Sequence, residues 1–489
     1  MRIELNRSSQ VPLARQIYRA LSDRILSGYF AKGTRLPSVR QLTRMLQVSP
    51  VTVSHALDLL EADKLITRVQ GKGTFVYEAG EVEVKKEVSN SPLQFPDYLH
   101  RSQAKHYSEK PVAINFSLSA VAADLLPTRE LAESLRHLAQ YYPEVLAQYG
   151  EIQGDLELRQ ALSSYLMNEQ IAVSPQEILV TNGSQQGIDL VARSFIGPGD
   201  VVVTEEPTYA AAIDVFRSRG ATILSVPMDE EGMRIDRLTA LTDEVTPKLI
   251  YTVPSFQSPT GKVMSLRRRK QLLGLAEDLN CLVLEDDPWS EIYYDETPPP
   301  HIKSMDHSGH VIYLKGLSKM LSPGCRIGFL IASVSILNRL ITAKTNADLG
   351  NPLLNQKVIL PIFQSRQITP LLKQLRAALK QRRDLAIKLL KQHAPQGVRW
   401  IIPRGGFNLW LTLPPQANTI ELLDEAERHH LTFLPGSACY PNEVEWNHLR
   451  ISFSQVSEEQ LRTGLVELCS AIASYLAAAG SRKGTTPLF

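Results

Sequence analysis

Two cations seven positions apart, Lys319 and Arg326, are the residues of this chain best placed to do chemistry. They lie in the stretch from Lys315 to Phe329, between two apolar runs, Val311 to Leu314 and Ile327 to Ala332, that read as strands. Both therefore fall in a turn. A lysine at a strand end within an apolar surround is easily desolvated, which lowers its pKa and makes the amine nucleophilic toward an aldehyde. A guanidinium nearby suits a bidentate grip on a phosphate. An aldehyde that also carries a phosphate would use both groups.

The elements that must hold this turn are legible from Ala113 onward. Strand-like runs at 178–181, 201–205, 222–226, 249–253 and 282–285 alternate with helix-like runs. That is an α/β pattern with a mainly parallel sheet between helices, whose ligands bind at the C-terminal strand ends. The turn at Thr181-Asn182-Gly183-Ser184-Gln185 opens a helix and offers free backbone N–H groups to an anion. Ser318-Lys319, Pro323-Gly324 and Arg326, with Gly328-Phe329, resemble the lysine motif of fold type I aminotransferases. The resemblance covers about 114 to 475. It implies a cofactor, pyridoxal 5′-phosphate (PLP), held as a Schiff base on Lys319, and a small C-terminal α+β domain.

Carried over residue by residue, the resemblance assigns Asp286 to the pyridine nitrogen, with Asp287 as the alternative. It assigns Tyr209 to stacking on the ring and Gly183, Ser184, Gln185, Ser318 and Arg326 to the cofactor. Tyr149 would reach the cofactor from the partner subunit, and Arg450 would hold a ligand carboxylate. Three positions depart from the pattern. Ser258 stands for an asparagine, and Trp289 for a tyrosine that hydrogen-bonds the ring oxygen; Gly316 stands for a phosphate-binding Ser or Thr. The departures predict cofactor binding with weak or absent transamination. No metal site is expected.

At 489 residues the chain calls for two or three domains. Its four scattered cysteines predict reduced thiols in a cytoplasmic protein, with no membrane span. Net charge is +2, but residues 1–80 hold 12 Lys/Arg against 6 Asp/Glu. A basic first module on a slightly acidic body points to a nucleic-acid partner for that module. Leu13, Ile17, Leu21 and Ile25 recur at helical spacing. A second helix follows Ser38, a third follows Ser49-Pro50, and two β-branched runs flank Gln70-Gly71-Lys72-Gly73. This is a winged helix-turn-helix. Gly33-Thr34-Arg35-Leu36-Pro37-Ser38, Val48-Ser49-Pro50 and Gly71-Lys72-Gly73-Thr74 closely resemble the DNA-binding domain of GntR-family regulators. Candidate contacts to double-stranded DNA are Arg35, Ser38, Arg40, Arg44, Ser49, Thr52, Ser54, His55 and Lys72. Pro50 replaces an arginine usual in that family.

The expected layout is a winged helix at 1–78, a linker at 79–112, a large domain at 113–375, a small domain at 376–480 and a loose tail at 481–489. A GntR-type head on an aminotransferase-like body resembles the MocR subfamily of transcription regulators. That implies a head-to-tail homodimer in which a Schiff base at Lys319 senses an amino compound, or PLP itself, and changes operator binding. A working aminotransferase carrying a DNA-binding module is the competing expectation.

Overall fold

A computed structural model describes residues 12–26, 30, 33–69, 72–77 and 112–482. The expected linker, apart from Val112, the wing-tip residues Gln70 and Gly71, and most of the expected tail lie outside them. The chain divides into two compact units at about residue 100, taken here one at a time.

The first unit is three helices and a hairpin: α1 (Leu13–Leu26), α2 (Val39–Leu46), α3 (Pro50–Ala62), β1 (Ile66–Val69) and β2 (Gly73–Val76). Ser38 opens α2 with a reciprocal capping box: its hydroxyl accepts from the Gln41 backbone N–H, and the Gln41 side chain accepts from Ser38 N at 2.8 Å. Gln47, at φ 52°, ends α2 in the left-handed region. Two residues later Ser49 caps α3, with Pro50 in its first turn. The tight break therefore follows from cap chemistry at both ends. Ile17, Leu21, Leu42, Val53, Leu57 and Leu60 close one small core with Ile66 and Val76 of the antiparallel hairpin.

The second unit is built on a mixed sheet of eight strands. In chain order, after a short strand β3 (Ile114–Asn115) that lies outside it, its strands are β4 (Ile178–Thr181), β5 (Val201–Glu206), β6 (Thr222–Asp229), β7 (Gly232–Met233), β8 (Leu249–Thr252), β9 (Leu282–Asp287), β10 (Val311–Gly316) and β11 (Gly328–Ile331). The large sheet runs β4-β11-β10-β9-β8-β5-β6-β7. Its five central strands are parallel, as the α/β alternation requires, while β11 is antiparallel to both neighbours. The reversal arises because β10 and β11 are joined by the short turn holding Lys319, which is too brief for a helical crossover. β3 pairs elsewhere, in parallel with β14 (Leu431–Thr432).

A second sheet of four antiparallel strands, β12 (Arg399–Trp400), β13 (Asn408–Thr412), β16 (His448–Ser452) and β15 (Leu434–Pro435), carries Arg450 on β16. The expected division at 375/376 falls inside one continuous helix, Ile368–His393. One helix segment, Glu458–Ala478, is long and apolar enough to cross a membrane. Its Leu461, Leu465, Leu468 and Ile472 are buried in the core shared with that second sheet.

Side-chain alternation on β9 and β10 decides what faces the site. Leu284 and Leu314 pack with the helix Gly183–Phe195 on one face. Asp286 shares that face, whereas Glu285, Asp287, Tyr313 and Lys315 point to the other. Gly187 lets the helix sit down on the sheet, since a Cβ there would lie 2.3 Å from Leu314 Cδ1. We predict that Gly187→Val overpacks this contact and destabilises the body by about 1–3 kcal/mol. Scanning calorimetry would read it as a lower melting temperature for the body with the head's transition unmoved.

Candidate functional site

The turn between β10 and β11 brings Lys319 and Arg326 to the C-terminal end of the sheet, beside the start of the helix Gly183–Phe195. Lys319 Nζ donates to the backbone carbonyl of Ser119. Burial, then the charges of Arg450 and Arg326, bring its pKa down from 10.5 to about 8. Arg326 sits at φ 52°, and its guanidinium reaches the Asn182 carbonyl at 3.3 Å. Gly183, at φ +74°, is the residue this approach requires, because a Cβ there would stand 2.7 Å from Arg326 Nη2. Asn182 gives the helix no side-chain cap, so its first N–H groups stay available beside that guanidinium.

Gly316 and Gly328 allow the same closeness from the sheet side. A Cβ on Gly328 would meet the Gly183 backbone at 2.8 Å, and one on Gly316 would meet Ser184 Oγ at 3.3 Å. The departure at Gly316 therefore goes with a serine on the facing helix. Ser184 and Ser318, whose Oγ stands 3.5 Å from Arg326 Nη1, leave hydroxyls at an anion seat that lacks a hydroxyl at 316.

Asp286 and Asp287 have opposite surroundings. Asp286 is 4% exposed; its Oδ2 accepts from the Tyr251 hydroxyl at 2.7 Å, and its Oδ1 has no hydrogen-bond partner. Burial raises its carboxyl to about 7, against the pull of the Tyr251 hydrogen bond. Asp287 accepts from Lys315 at 2.8 Å, Tyr313 at 2.7 Å, Ser290 Oγ at 2.6 Å and two backbone N–H groups. Burial pushes that carboxyl up, but Lys315 and His301 outweigh it and hold it well below the usual range. One carboxylate is saturated; the other keeps an acceptor with no partner among the described residues.

Tyr209 precedes the helix Ala210–Ser218, and its hydroxyl donates to Gln185 Oε1 at 3.3 Å. Its ring is 36% exposed, yet the hydroxyl end is enclosed: burial, then Asp286, push the phenol up to about 12. Arg450, 7% exposed, donates from Nη2 to the Ser117 carbonyl, and its Nε has no partner. Burial lowers its pKa, while Cys439 and Tyr209 oppose that shift. Arg326 and Arg450 thus act on both Lys319 and Tyr209, and Asp286 acts on Tyr209.

Two expected ring neighbours look different. Trp289 Nε1 donates to the Phe256 carbonyl at 2.7 Å, and its ring packs edge-on against Phe407. Its one donor is committed to the backbone. Ser258 is buried in a turn organised by Gln257, which donates to Glu205 and Pro207 and accepts from Thr260. Tyr149 is 84% exposed. Sequence reasoning did not find Tyr251, Lys315, Ser117 or Ser119. The first two needed the strand register, and the last two act through carbonyls, which every residue has.

Tested against PLP, these residues fit. Asp286 Oδ1 is a free buried acceptor for a protonated ring nitrogen. The uncapped helix start with Arg326 and Ser184 suits a phosphate, and Lys319 carries a depressed amine for the aldehyde.

On the first unit, Arg40, Arg44, His55 and Lys72 are exposed. Arg35 is exposed and lies over the wing, where a Cβ on Gly73 would come 2.8 Å from its Nε. Ser38 and Ser49 are engaged as helix caps, and Ser49 and Thr52 share a 2.8 Å hydroxyl contact. Ser54 is half-buried. Arg68, not anticipated, pairs with Asp58 at 2.7 Å and Glu61 at 3.5 Å.

Residues 115–468 match the family model for aminotransferase class I and II, and residues 13–76 match that for bacterial regulatory proteins of the gntR family. An HTH-type transcriptional regulator of Bacillus subtilis, YisV, itself uncharacterized, is 33% identical over 94% of this chain and 96% of its own length. The aromatic-amino-acid aminotransferase 1 of Thermococcus litoralis is 34% identical over 72% of this chain and 86% of its own. Among solved structures, the α-aminoadipate aminotransferase LysN of Thermus thermophilus superposes with a TM-score of 0.74 at 32% identity, covering 78% of this chain and 98% of that one. A gntR-type DNA-binding head is thus fused to a PLP-dependent fold type I body, and the chain belongs to the aminotransferase class I and II family in its MocR-type, regulatory branch.

Proposed function

We propose that this transcription regulator reads an amine carrying an acidic group in its body and changes operator binding in response. The observation that carries the proposal is that Lys319 and Arg450 both donate to carbonyls of one short segment, at Ser119 and Ser117. That segment follows β3, the first strand after the stretch expected to link body and head. PLP, when bound, supplies an aldehyde for amines and an electron-withdrawing ring. Asp286 Oδ1 would accept a hydrogen bond from the protonated ring nitrogen, Arg326 with the helix start would hold the phosphate, and Tyr209 would cover the ring.

An acidic ligand group takes Arg450, whose Nε is free. As Arg450 and Lys319 turn to ligand and cofactor, the carbonyls of Ser117 and Ser119 give up these two contacts and the segment loosens, still tied to Asn408 and Ser454. A few kcal/mol of differential affinity between two arrangements is enough to shift a two-state equilibrium. Leu135, Tyr141, Tyr142, Leu146 and Tyr149 are exposed apolar side chains, which supports a head-to-tail homodimer with Tyr149 reaching the partner's site. A cytoplasmic setting agrees with four free thiols. The intact Asp286, Lys319, Arg326 and Arg450 favour transamination as a second reading.

Operator affinity measured for cofactor-free, PLP-loaded and PLP-plus-amine protein is expected to change on adding amine, and not to change in Lys319→Ala or Arg450→Ala. Identical affinities in all three states would refute sensing. A response to PLP alone would make the cofactor the effector, and multiple turnovers of amino acid with a 2-oxo acid would establish the enzyme reading.

A neutral Lys319 amine captures the aldehyde. The rate of PLP uptake by cofactor-free protein should therefore rise through about pH 8, where an ordinary lysine would rise near 10.5. Stopped-flow absorbance reads this directly. On the head, Arg40→Ala should weaken binding about equally across DNA sequences and reduce the salt slope by about 1, measured by fluorescence anisotropy over a salt series.

A further inference from the structure

The sheet face opposite Asp286 carries a site of its own. A cavity of about 990 Å³ opens there. Its inner wall is Tyr165, Ser290, Glu291 and His301, the side chains gathered round Asp287 and Lys315. Most charges on the wall are committed. Glu291 pairs with Lys315, Glu157 pairs with Lys357 at 3.0 Å, and Arg376 stacks on Tyr293 at 4.2 Å. Two are not: among the described residues, the side chains of Glu169 and Arg366 have neither a hydrogen-bond nor an ion-pair partner. Burial, then the Glu291 charge, raise the Glu169 carboxyl, so a cation beside it is favoured. His301 Nδ1, in a residue 4% exposed, also lacks a hydrogen-bond partner and stands 3.5 Å from Glu285. The wall adds apolar surface from Ala161, Phe363 and Leu372.

We propose that this cavity is a second ligand site, separate from Lys319, that takes a small dipolar amine of the amino-acid class. Its ammonium group lies at Glu169, its carboxylate at Arg366 and its apolar part on Phe363 and Leu372. One half-buried carboxylate and one exposed guanidinium, each without a partner among the described residues, give opposite poles in a cavity large enough for such a molecule. The site goes beyond effector sensing at Lys319 and does not depend on it.

The test is isothermal titration calorimetry of L-leucine into the full-length chain carrying Lys319→Ala and Arg450→Ala, which silences the first site. Saturable binding of one molecule per chain is expected. It should weaken about tenfold or more when Glu169→Gln or Arg366→Gln is added, that is by about 1.4 kcal/mol or more. Isoamylamine and isocaproate, each keeping one pole, should also bind about tenfold more weakly or worse. Ala161→Trp, which fills the cavity from a half-buried position, should abolish binding with the melting temperature retained. Absence of saturable heat, binding unmoved by all three added substitutions, or single-pole probes as tight as leucine would each overturn the proposal. Failure of amine-dependent DNA binding would leave it standing.

Discussion

The body depends on two adjacent carboxylates being sent to opposite faces of one strand. The β-pleat turns Asp286 toward Tyr251 and Asp287 toward Lys315 and Tyr313, and no local choice of rotamer could exchange the two. Asp287 then meets Lys315 and Tyr313 on the neighbouring strand and becomes a saturated, fully ionised anchor. Asp286 meets only the Tyr251 hydroxyl and is left near neutrality with one oxygen unused. Leaving a buried acceptor open costs stability, and functional sites are where that cost is tolerated. Moving β9 by one residue against its neighbours would exchange the roles and remove the site.

The cations are held in a comparably unfinished state. Arg326 and Arg450 lie close enough to depress Lys319, and among the described residues no carboxylate pairs with any of the three. Backbone carbonyls of Ser117, Ser119 and Asn182 satisfy them instead. A carbonyl is a weaker partner for a cation than a carboxylate or phosphate. The arrangement therefore favours exchange: an incoming anion competes with a backbone group that can move away.

On the head, the physics is that of cap and core. Three short helices hold a tight turn because Ser38, Ser49 and Pro50 begin helices where the sequence must reverse, and because Leu42, Val53 and Leu57 bury against one another. Serines that serve as caps are engaged by the backbone. The exposed cations Arg35, Arg40, Arg44 and Lys72 then become the groups with reach, which fits a head whose affinity is dominated by phosphates.

Much of this was written in the chain. The three helices, the hairpin, the strand series from β4 to β11 apart from β7, and the turn carrying Lys319 and Arg326 all follow from local signals: periodicity, caps, glycines and a motif of fixed spacing. Such features depend on residues near one another in sequence. What the sequence left open depends on partners brought from far away. Whether Asp286 or Asp287 keeps a free oxygen waited on Tyr251, Tyr313 and Lys315. The indole of Trp289 found the Phe256 carbonyl, and Gly316 proved to face Ser184. Carbonyl partners such as Ser117 and Ser119 carry no signature in side-chain type. The sequence by itself determined which groups could do the chemistry; the tertiary structure alone decided which of them remain unpaired, because pairing is settled by strand register and packing across hundreds of residues.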